Sequence, residues 1–217
     1  MHRKQVIFFD LDGTLTDSSP GILNGVAYAL GKCGIEETDR SKLYRFIGPP
    51  LLDIFQEAYG MTRERALEAV AYYREYYRAG GMYENSPYEG IHALLADLKA
   101  AGKTLALATA KPGVFAVPIM EKFGLAQYFD QFGTASLDES RNQKHQVVAH
   151  TLELCGHPDP DRVVMVGDRN HDVEGAGVHG IRTVGVLYGF GDRAELEQAG
   201  AAAIAETVDD LRKILLG

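Results

Sequence analysis

The sequence predicts an α/β protein in which a doubly wound parallel sheet is interrupted, after its first strand, by an inserted α-helical domain. Three observations carry this. Short apolar or β-branched runs recur at residues 6–9, 104–108, 163–166 and 182–186, with a weaker one near Phe132; each has the length of a strand buried on both faces. Helical patterns lie between them, and such alternation indicates parallel strands joined by crossover helices. The stretch from about Asp17 to Tyr88 breaks the alternation and holds no convincing strand. At 217 residues the chain exceeds a typical single domain and falls short of two. One Rossmann-like core with a sizeable insertion fits that length.

Taken in order, the first strand (6–9) follows a polar, basic start from Met1 to Gln5. Its apolar run is too short for a secretory signal or a membrane span. A cytoplasmic location with no membrane partner is the default expectation. The insertion, residues 17–87, carries helices predicted at 21–32, 51–59 and 62–78, the last ended by Gly80-Gly81. Its entry, Asp17-Ser18-Ser19-Pro20, and exit, Asn85-Ser86-Pro87, are polar and proline-punctuated, as linkers tend to be. The core is then 1–16 with 88–217. Within it, 91–101 places Ile91, Leu94, Leu95 and Leu98 at helical spacing and stops at Gly102. A helix at 114–123 starts after Pro112, proline being favoured in a first turn. A further helical run at 147–154 precedes the strand at 163–166.

The apolar fraction of 46% supports a buried core, and the 24% of charged residues is scattered without low-complexity tracts. A net charge of −8 argues against nucleic acid as a partner, because such binders carry a basic face that displaces counterions. It also means that an anionic substrate is repelled until a local cation reverses the field. Cys33 and Cys155 stand far apart, outside any zinc or redox spacing, so neither a disulfide framework nor structural zinc is expected. His145 and His171 also lack zinc spacing.

The strongest motif is Asp10-Leu11-Asp12-Gly13-Thr14, placed where the first strand ends. In open α/β sheets, ligands bind beyond the carboxyl ends of the strands, so both acids belong to the expected site. A carboxylate can attack phosphorus and form an acyl phosphate. A second carboxylate can protonate the departing alkoxide and later deprotonate the attacking water. The bland reading is an acidic turn. Strand, spacing, Gly13 and Thr14 together oppose it.

The pattern of apolar strand followed by acid repeats at 163–166, which runs into Gly167-Asp168-Arg169-Asn170-His171-Asp172. Asp168 sits at a strand end and Asp172 one helical turn on, and hard oxygen ligands of this kind suit magnesium. An Asp-x-x-x-Asp pair taken alone is equally a solvated helix face. The strand at 104–108 leads into Thr109-Ala110-Lys111-Pro112. There a hydroxyl and free N–H groups at Thr109 and Ala110 can cradle phosphate before a helix N-terminus, or Thr109 can simply cap that helix. Lys144, ahead of the 147–154 helix, can neutralise charge on Asp10 and the transferring group. Three strand ends in the right order for one crevice favour the chemical reading of each.

With these residues in view, the chain resembles the haloacid dehalogenase superfamily along essentially its whole length, in the phosphatase branch with a helical cap after the first motif. The phosphoglycolate phosphatase-like group, some of whose members are called 5′-nucleotidases, is the nearest in pattern. The resemblance implies a catalytic Asp10 nucleophile, Asp12 as acid/base and an electrostatic role for Lys144. It also implies phosphate binding at Thr109, and Mg2+ held by Asp10, the main-chain carbonyl of Asp12, and Asp168, with Asp172 at the last acidic position. Dehalogenases lack an acid at the position of Asp12, so a phosphatase is the implied activity. Arg169 stands where many relatives have serine or threonine, and Lys144 lacks neighbouring prolines common in the phosphoglycolate branch.

Substrate choice belongs to the cap, a lid that excludes water. Its candidate loop is Phe46-Ile47-Gly48-Pro49-Pro50, with Gly48 for close approach and Arg45 for a second anionic group; an exposed arginine needs no such role. Tyr72, Tyr73, Tyr76 and Tyr77 at helical spacing suggest packing before base stacking. The predicted function is Mg2+-dependent hydrolysis of a small phosphorylated metabolite, phosphoglycolate- or nucleotide-like, through an aspartyl phosphate. A sugar phosphomutase shares the first step and stays open as the alternative. A phosphoryl-accepting signalling module is disfavoured by Asp12 and the cap.

Overall fold

A computed structural model describes residues 4–138 and 140–217. Met1–Arg3, part of the polar start expected before the first strand, and Glu139 lie outside the described residues. From the N-terminus the chain forms β1 (Val6–Phe9) and β2 (Thr16–Asp17), then α1 (Ser19–Lys32), α2 (Leu51–Tyr59) and α3 (Arg63–Arg78), and returns through β3 (Ser86–Pro87). There follow α4 (Ile91–Ala100), β4 (Thr104–Pro112), α5 (Gly113–Lys122), β5 (Gln131–Ala135), α6 (Lys144–Leu154), β6 (Val163–Gly167) and α7 (Asn170–Gly177). The chain ends with β7 (Arg182–Val186), α8 (Arg193–Ala199), β8 (Ala203–Ala205) and α9 (Val208–Leu216). It divides into two compact units, one comprising residues up to 17 with 87–217, the other residues 18–86.

In the first unit, among the described residues, six strands form one sheet in the order β5-β4-β1-β6-β7-β8, and every pairing is parallel. The reason is in the composition: β1 and β6 read Val-Ile-Phe-Phe and Val-Val-Met-Val-Gly, and nearly every residue is buried. Strands covered on both faces have no need of polar alternation. Phe8 packs with Ala106, Val147, Val148, Met165 and Ala176, under α6 and α7. A fully buried phenylalanine contributes about 1.5–3 kcal/mol.

Chain succession runs from β1 outward to β4 and β5, then returns to β6 and moves outward on the other side to β7 and β8. The reversal point, where a crevice opens in such sheets, is therefore at β1. Phe9 is level with Leu107 on one neighbour and with Val166 on the other. The next residues, Asp10, Ala108 and Gly167, thus emerge side by side.

Several core features depart from expectation, among them α8 and α9, which were not expected from the sequence. β8 was not predicted, because Ala203-Ile204-Ala205 is short and alanine-rich, and alanine is depleted in strands. β4 continues past Ala108 to Pro112, with a register irregularity between Thr109 and Pro112.

In the second unit, α1 and α3 pack closely. A Cβ at Gly25 would lie 2.9 Å from the Tyr73 ring. Tyr73 and Tyr77 are buried and stacked, with centroids 5.2 Å apart, so both are interior packing groups of this unit. Phe46 and Phe55 form a second nucleus, 4.8 Å apart. A 3-10 turn at Arg40–Phe46, not expected from the sequence, begins where the Asp39 carboxylate accepts the Ser41 N–H at 3.0 Å. Cys33 and Cys155 are free thiols, the first buried and the second half-buried. Among the described residues, no helix is long and apolar enough to cross a membrane.

Candidate active site

Asp10 continues the β1 ladder: its N–H donates to the Val166 carbonyl at 3.0 Å. The chain then turns sharply, with the Leu15 and Thr16 N–H groups both reaching the Leu11 carbonyl, at 2.9 and 3.1 Å. Gly13 makes the turn possible. Its φ is +77°, and a Cβ there would fall 2.1 Å from Asp168 Oδ2. Conformation and space therefore both exclude a side chain.

Lys144, the first residue of α6, is held in place by local structure: the Gln146 side chain accepts the Asn142 and Gln143 N–H groups at 3.2 Å and closes the start of the helix. Its ammonium is buried and lies 2.9 Å from Asp10 Oδ1, 2.7 Å from Asp172 Oδ1 and 3.0 Å from the Ala108 carbonyl. Burial opposes the charge on Lys144, but Asp10 and Asp172 outweigh it and hold the ammonium above its usual range. Asp172 Oδ2 accepts the Arg169 N–H at 3.2 Å, capping α7. Asp168 is fully buried at the end of β6; Thr14 Oγ1 donates to its Oδ1 at 3.2 Å and the Phe190 N–H to its Oδ2 at 2.8 Å.

Burial raises the Asp10 carboxyl to about 6; Lys144 counters that shift, and Asp172 and Asp12 add to it. Burial likewise holds Asp168 well above the usual range, reinforced by Asp172 and Asp10. One oxygen from each of Asp10, Asp168 and Asp172 lies within 4.8 Å of the others, a spacing that can hold a metal ion. With Asp12, four carboxylates share this crevice with the ammonium groups of Lys144 and Lys111. Ionised, they carry an excess of two negative charges. A hard divalent cation such as Mg2+ would balance that excess and suits an all-oxygen donor set.

The Asp12 carboxylate stands apart from this cluster. Its side chain pairs with Lys111, Nζ to Oδ1, at 2.6 Å. Any metal contact from Asp12 would fall to the main-chain carbonyl that the resemblance named.

Thr109 is buried, and its Oγ1 accepts the Lys111 N–H at 3.2 Å. α5 begins at Gly113, with Pro112 at the N-cap position and no side-chain cap, so Thr109 is not that helix's cap. With Ala110 it lies in the irregular end of β4, next to the level at which Asp10 emerges.

Four residues of the crevice were missed by sequence reasoning. Lys111 was read only as part of a strand end. Phe190 contributes a backbone N–H, in a loop where a Cβ on Gly189 or Gly191 would lie 2.5 Å or less from Asp168 atoms. Tyr88 and Tyr188 meet edge to face at 5.0 Å. Burial, with Asp168 among the nearby charges, keeps both phenols protonated well above their usual range. The available signal was the glycine-flanked Phe190 shortly after the strand at 182–186, a further strand end on the same edge. Arg45 is exposed and Gly48 has φ +106°; both belong to the helical unit.

Known proteins resemble this chain in sequence and fold. A family model described as haloacid dehalogenase-like hydrolase matches residues 7–186. A 5′-nucleotidase of Pseudomonas aeruginosa is 43% identical over 96% of this chain and 94% of its own. The tyrosine-protein kinase PtkA of Mycobacterium tuberculosis is 42% identical over 97% of this chain and 72% of its own. A phosphoglycolate phosphatase of Agrobacterium fabrum is 31% identical over 85% and 81%. The crystal structure of a predicted phosphatase from Clostridium acetobutylicum superposes with a TM-score of 0.93 at 45% identity, covering 97% of both chains. With the model spanning most of the chain and three strand ends converging on one carboxylate crevice, the chain belongs to the haloacid dehalogenase-like hydrolase family.

Proposed function

We propose that the protein is a Mg2+-dependent phosphatase that hydrolyses a small phosphate monoester through a phosphoryl group carried on Asp10. One observation carries the reading: Asp10 stands at the centre of the crevice, paired with Lys144 and within a carboxylate cluster of metal-binding spacing, while a second acid stands two residues on. Bound Mg2+ would supply charge neutralisation for the transferring phosphoryl group, with Asp10, Asp168 and Asp172 as the side chains to hold it.

In the first step an Asp10 oxygen bonds to phosphorus as the ester P–O bond breaks. The electron pair of that bond leaves with the alkoxide, which takes its proton from Asp12. In the second, water attacks the phosphoryl group, its proton passes to Asp12, and Asp10 is regenerated with release of inorganic phosphate. Lys144 neutralises Asp10 and the equatorial oxygens throughout, and the Thr109 hydroxyl and Ala110 N–H orient the phosphate. The helical unit acts as the cap, with Arg45 and Gly48 candidate contacts to the rest of the substrate.

The test is hydrolysis of p-nitrophenyl phosphate with and without Mg2+, followed by a screen of nucleoside 5′-monophosphates, phosphoglycolate and sugar phosphates. Turnover should need the metal, and Asp10→Asn should lower kcat at least about 10³-fold. An Asp10→Asn variant as active as wild type would overturn the mechanism. The kinase-named relative supports a second reading, transfer of the phosphoryl group to an acceptor other than water. Phosphate appearing on a protein tyrosine or a sugar, with no release of inorganic phosphate, would favour it.

A further inference from the structure

We propose that Lys111 is a positioning residue for Asp12, holding the acid/base carboxylate at the geometry needed for proton transfer to the leaving group. The inference rests on the phosphatase reading above. Its first ground is the pair itself: Lys111 Nζ and Asp12 Oδ1 are 2.6 Å apart, and the side chains are only 7% and 15% exposed. A pair this sheltered is screened little by salt and holds its geometry better than a surface ion pair.

The second ground is a count of donors. An ammonium group has three N–H bonds. Those of Lys144 face Asp10, Asp172 and the Ala108 carbonyl, at 2.9, 2.7 and 3.0 Å. Lys144 thus has none left for Asp12, and the cation found against the second acid is Lys111.

The third is the backbone. Lys111 lies in the segment where the β4–β5 register shifts between Thr109 and Pro112, and its N–H is tied to Thr109 Oγ1 at 3.2 Å. That irregularity sets the origin of the Lys111 side chain from the strand next to β1. The two lysines divide the work: Lys144 serves the nucleophile, and Lys111 serves the proton donor.

With Oδ1 held by Lys111, Oδ2 is the Asp12 oxygen left to deliver the proton. That proton passes to the leaving oxygen as the P–O bond breaks and is replaced by a proton from the attacking water. Removing Lys111 leaves both acids and the phosphate cradle in place but frees Asp12 to rotate. Misplacing a catalytic group by about 1 Å can cost about 10²-fold in rate.

The discriminating measurement is kcat/KM with Mg2+ on a series of aryl phosphates, from 2,4-dinitrophenyl to unsubstituted phenyl phosphate. This constant reports the steps up to leaving-group departure, and only the poorer leaving groups need a proton. Lys111→Met should lower kcat/KM for phenyl phosphate about 30–100-fold, but for the dinitrophenyl ester no more than about threefold. Lys111→Arg, which keeps the charge, should lie nearer to wild type across the series. A loss equal for all leaving groups, or no loss, would overturn the proposal, as either assigns Lys111 to substrate binding or to structure alone. If Lys111→Met does not fold, Lys111→Gln is read in the same way. Failure of the phosphatase reading looks different: wild type itself then cleaves no member of the series, and the proposal falls with it.

Discussion

The two units treat their polar groups in opposite ways. In the helical unit the polar side chains that link α1 and α3 to the exit segment are matched donor to acceptor. Asn24 accepts from Arg40 at 2.7 Å and donates to Glu84 at 2.6 Å, and Glu84 takes a second bond from the Tyr76 hydroxyl at 2.6 Å. At the strand ends of the core, carboxylates are gathered in excess of cations and are partly or wholly buried. Such an arrangement costs folding free energy unless something of opposite charge joins it. The contrast teaches where selection for chemistry acted: one unit is assembled for packing, while the other holds electrostatic stress that a bound cation would relieve.

The largest effect expected from breaking this contrast is at Lys144. Lys144→Met removes the ammonium between Asp10 and Asp172 and leaves buried carboxylates uncompensated, a change that typically costs about 3–5 kcal/mol. Urea unfolding in EDTA should show that loss, and saturating Mg2+ should restore part of it. Asp168→Asn should act in the reverse direction. Because burial and its acidic neighbours already disfavour the charged form of Asp168, the amide should stabilise the metal-free protein by about 1–2 kcal/mol at neutral pH. The rise in Tm expected for wild type with Mg2+ should then be absent.

A pH series sharpens the same point. The Asp10 carboxyl is raised from 3.8 to about 6, so between those values the native state binds more protons than the unfolded chain, and this contribution to stability falls as pH rises. Below pH 4 both states are protonated and the penalty is absent; above 6 it is complete. The stability of metal-free wild type relative to Asp10→Asn should therefore decline from pH 4 to 6 and then level off. Mg2+ affinity should show the mirror image, strengthening as pH rises through 6, because a carboxylate must lose its proton to bind a metal. Calorimetric titration across that range checks both signs.

How much of the site was legible follows from what encodes each residue. Asp10, Asp168 and Thr109 come at or just after the ends of continuous apolar runs, so their place at the sheet's edge could be read directly. Lys144 and Asp172 precede or open helices at recognisable spacing. Lys111 was not legible, because its partner is 99 residues away and the pair depends on strand register and on a local irregularity in β4. Phe190 acts through its N–H, which any residue but proline supplies, so side-chain chemistry gives no signal there. The helices of the second unit were legible from apolar spacing. Their substrate contacts were not, since an exposed arginine such as Arg45 looks the same with or without a ligand to meet.

The smallest effect, and the control for the comparison, is in the helical unit. Glu84 accepts from Asn24 and Tyr76 through its two carboxylate oxygens, tying α1 and α3 to the segment that leaves the unit. Glu84→Ala removes one acceptor from two half-buried donors. Both donors can turn partly toward water, so the loss should be about 1–2 kcal/mol. Neither the dependence on Mg2+ nor the slope of stability between pH 4 and 6 should change, because no member of this network belongs to the carboxylate cluster. Thermal unfolding of Glu84→Ala with EDTA and with Mg2+ measures both properties. A variant whose response to Mg2+ differs from that of wild type would show that the helical unit shares in the electrostatic stress of the core, and the contrast between the two units would fail.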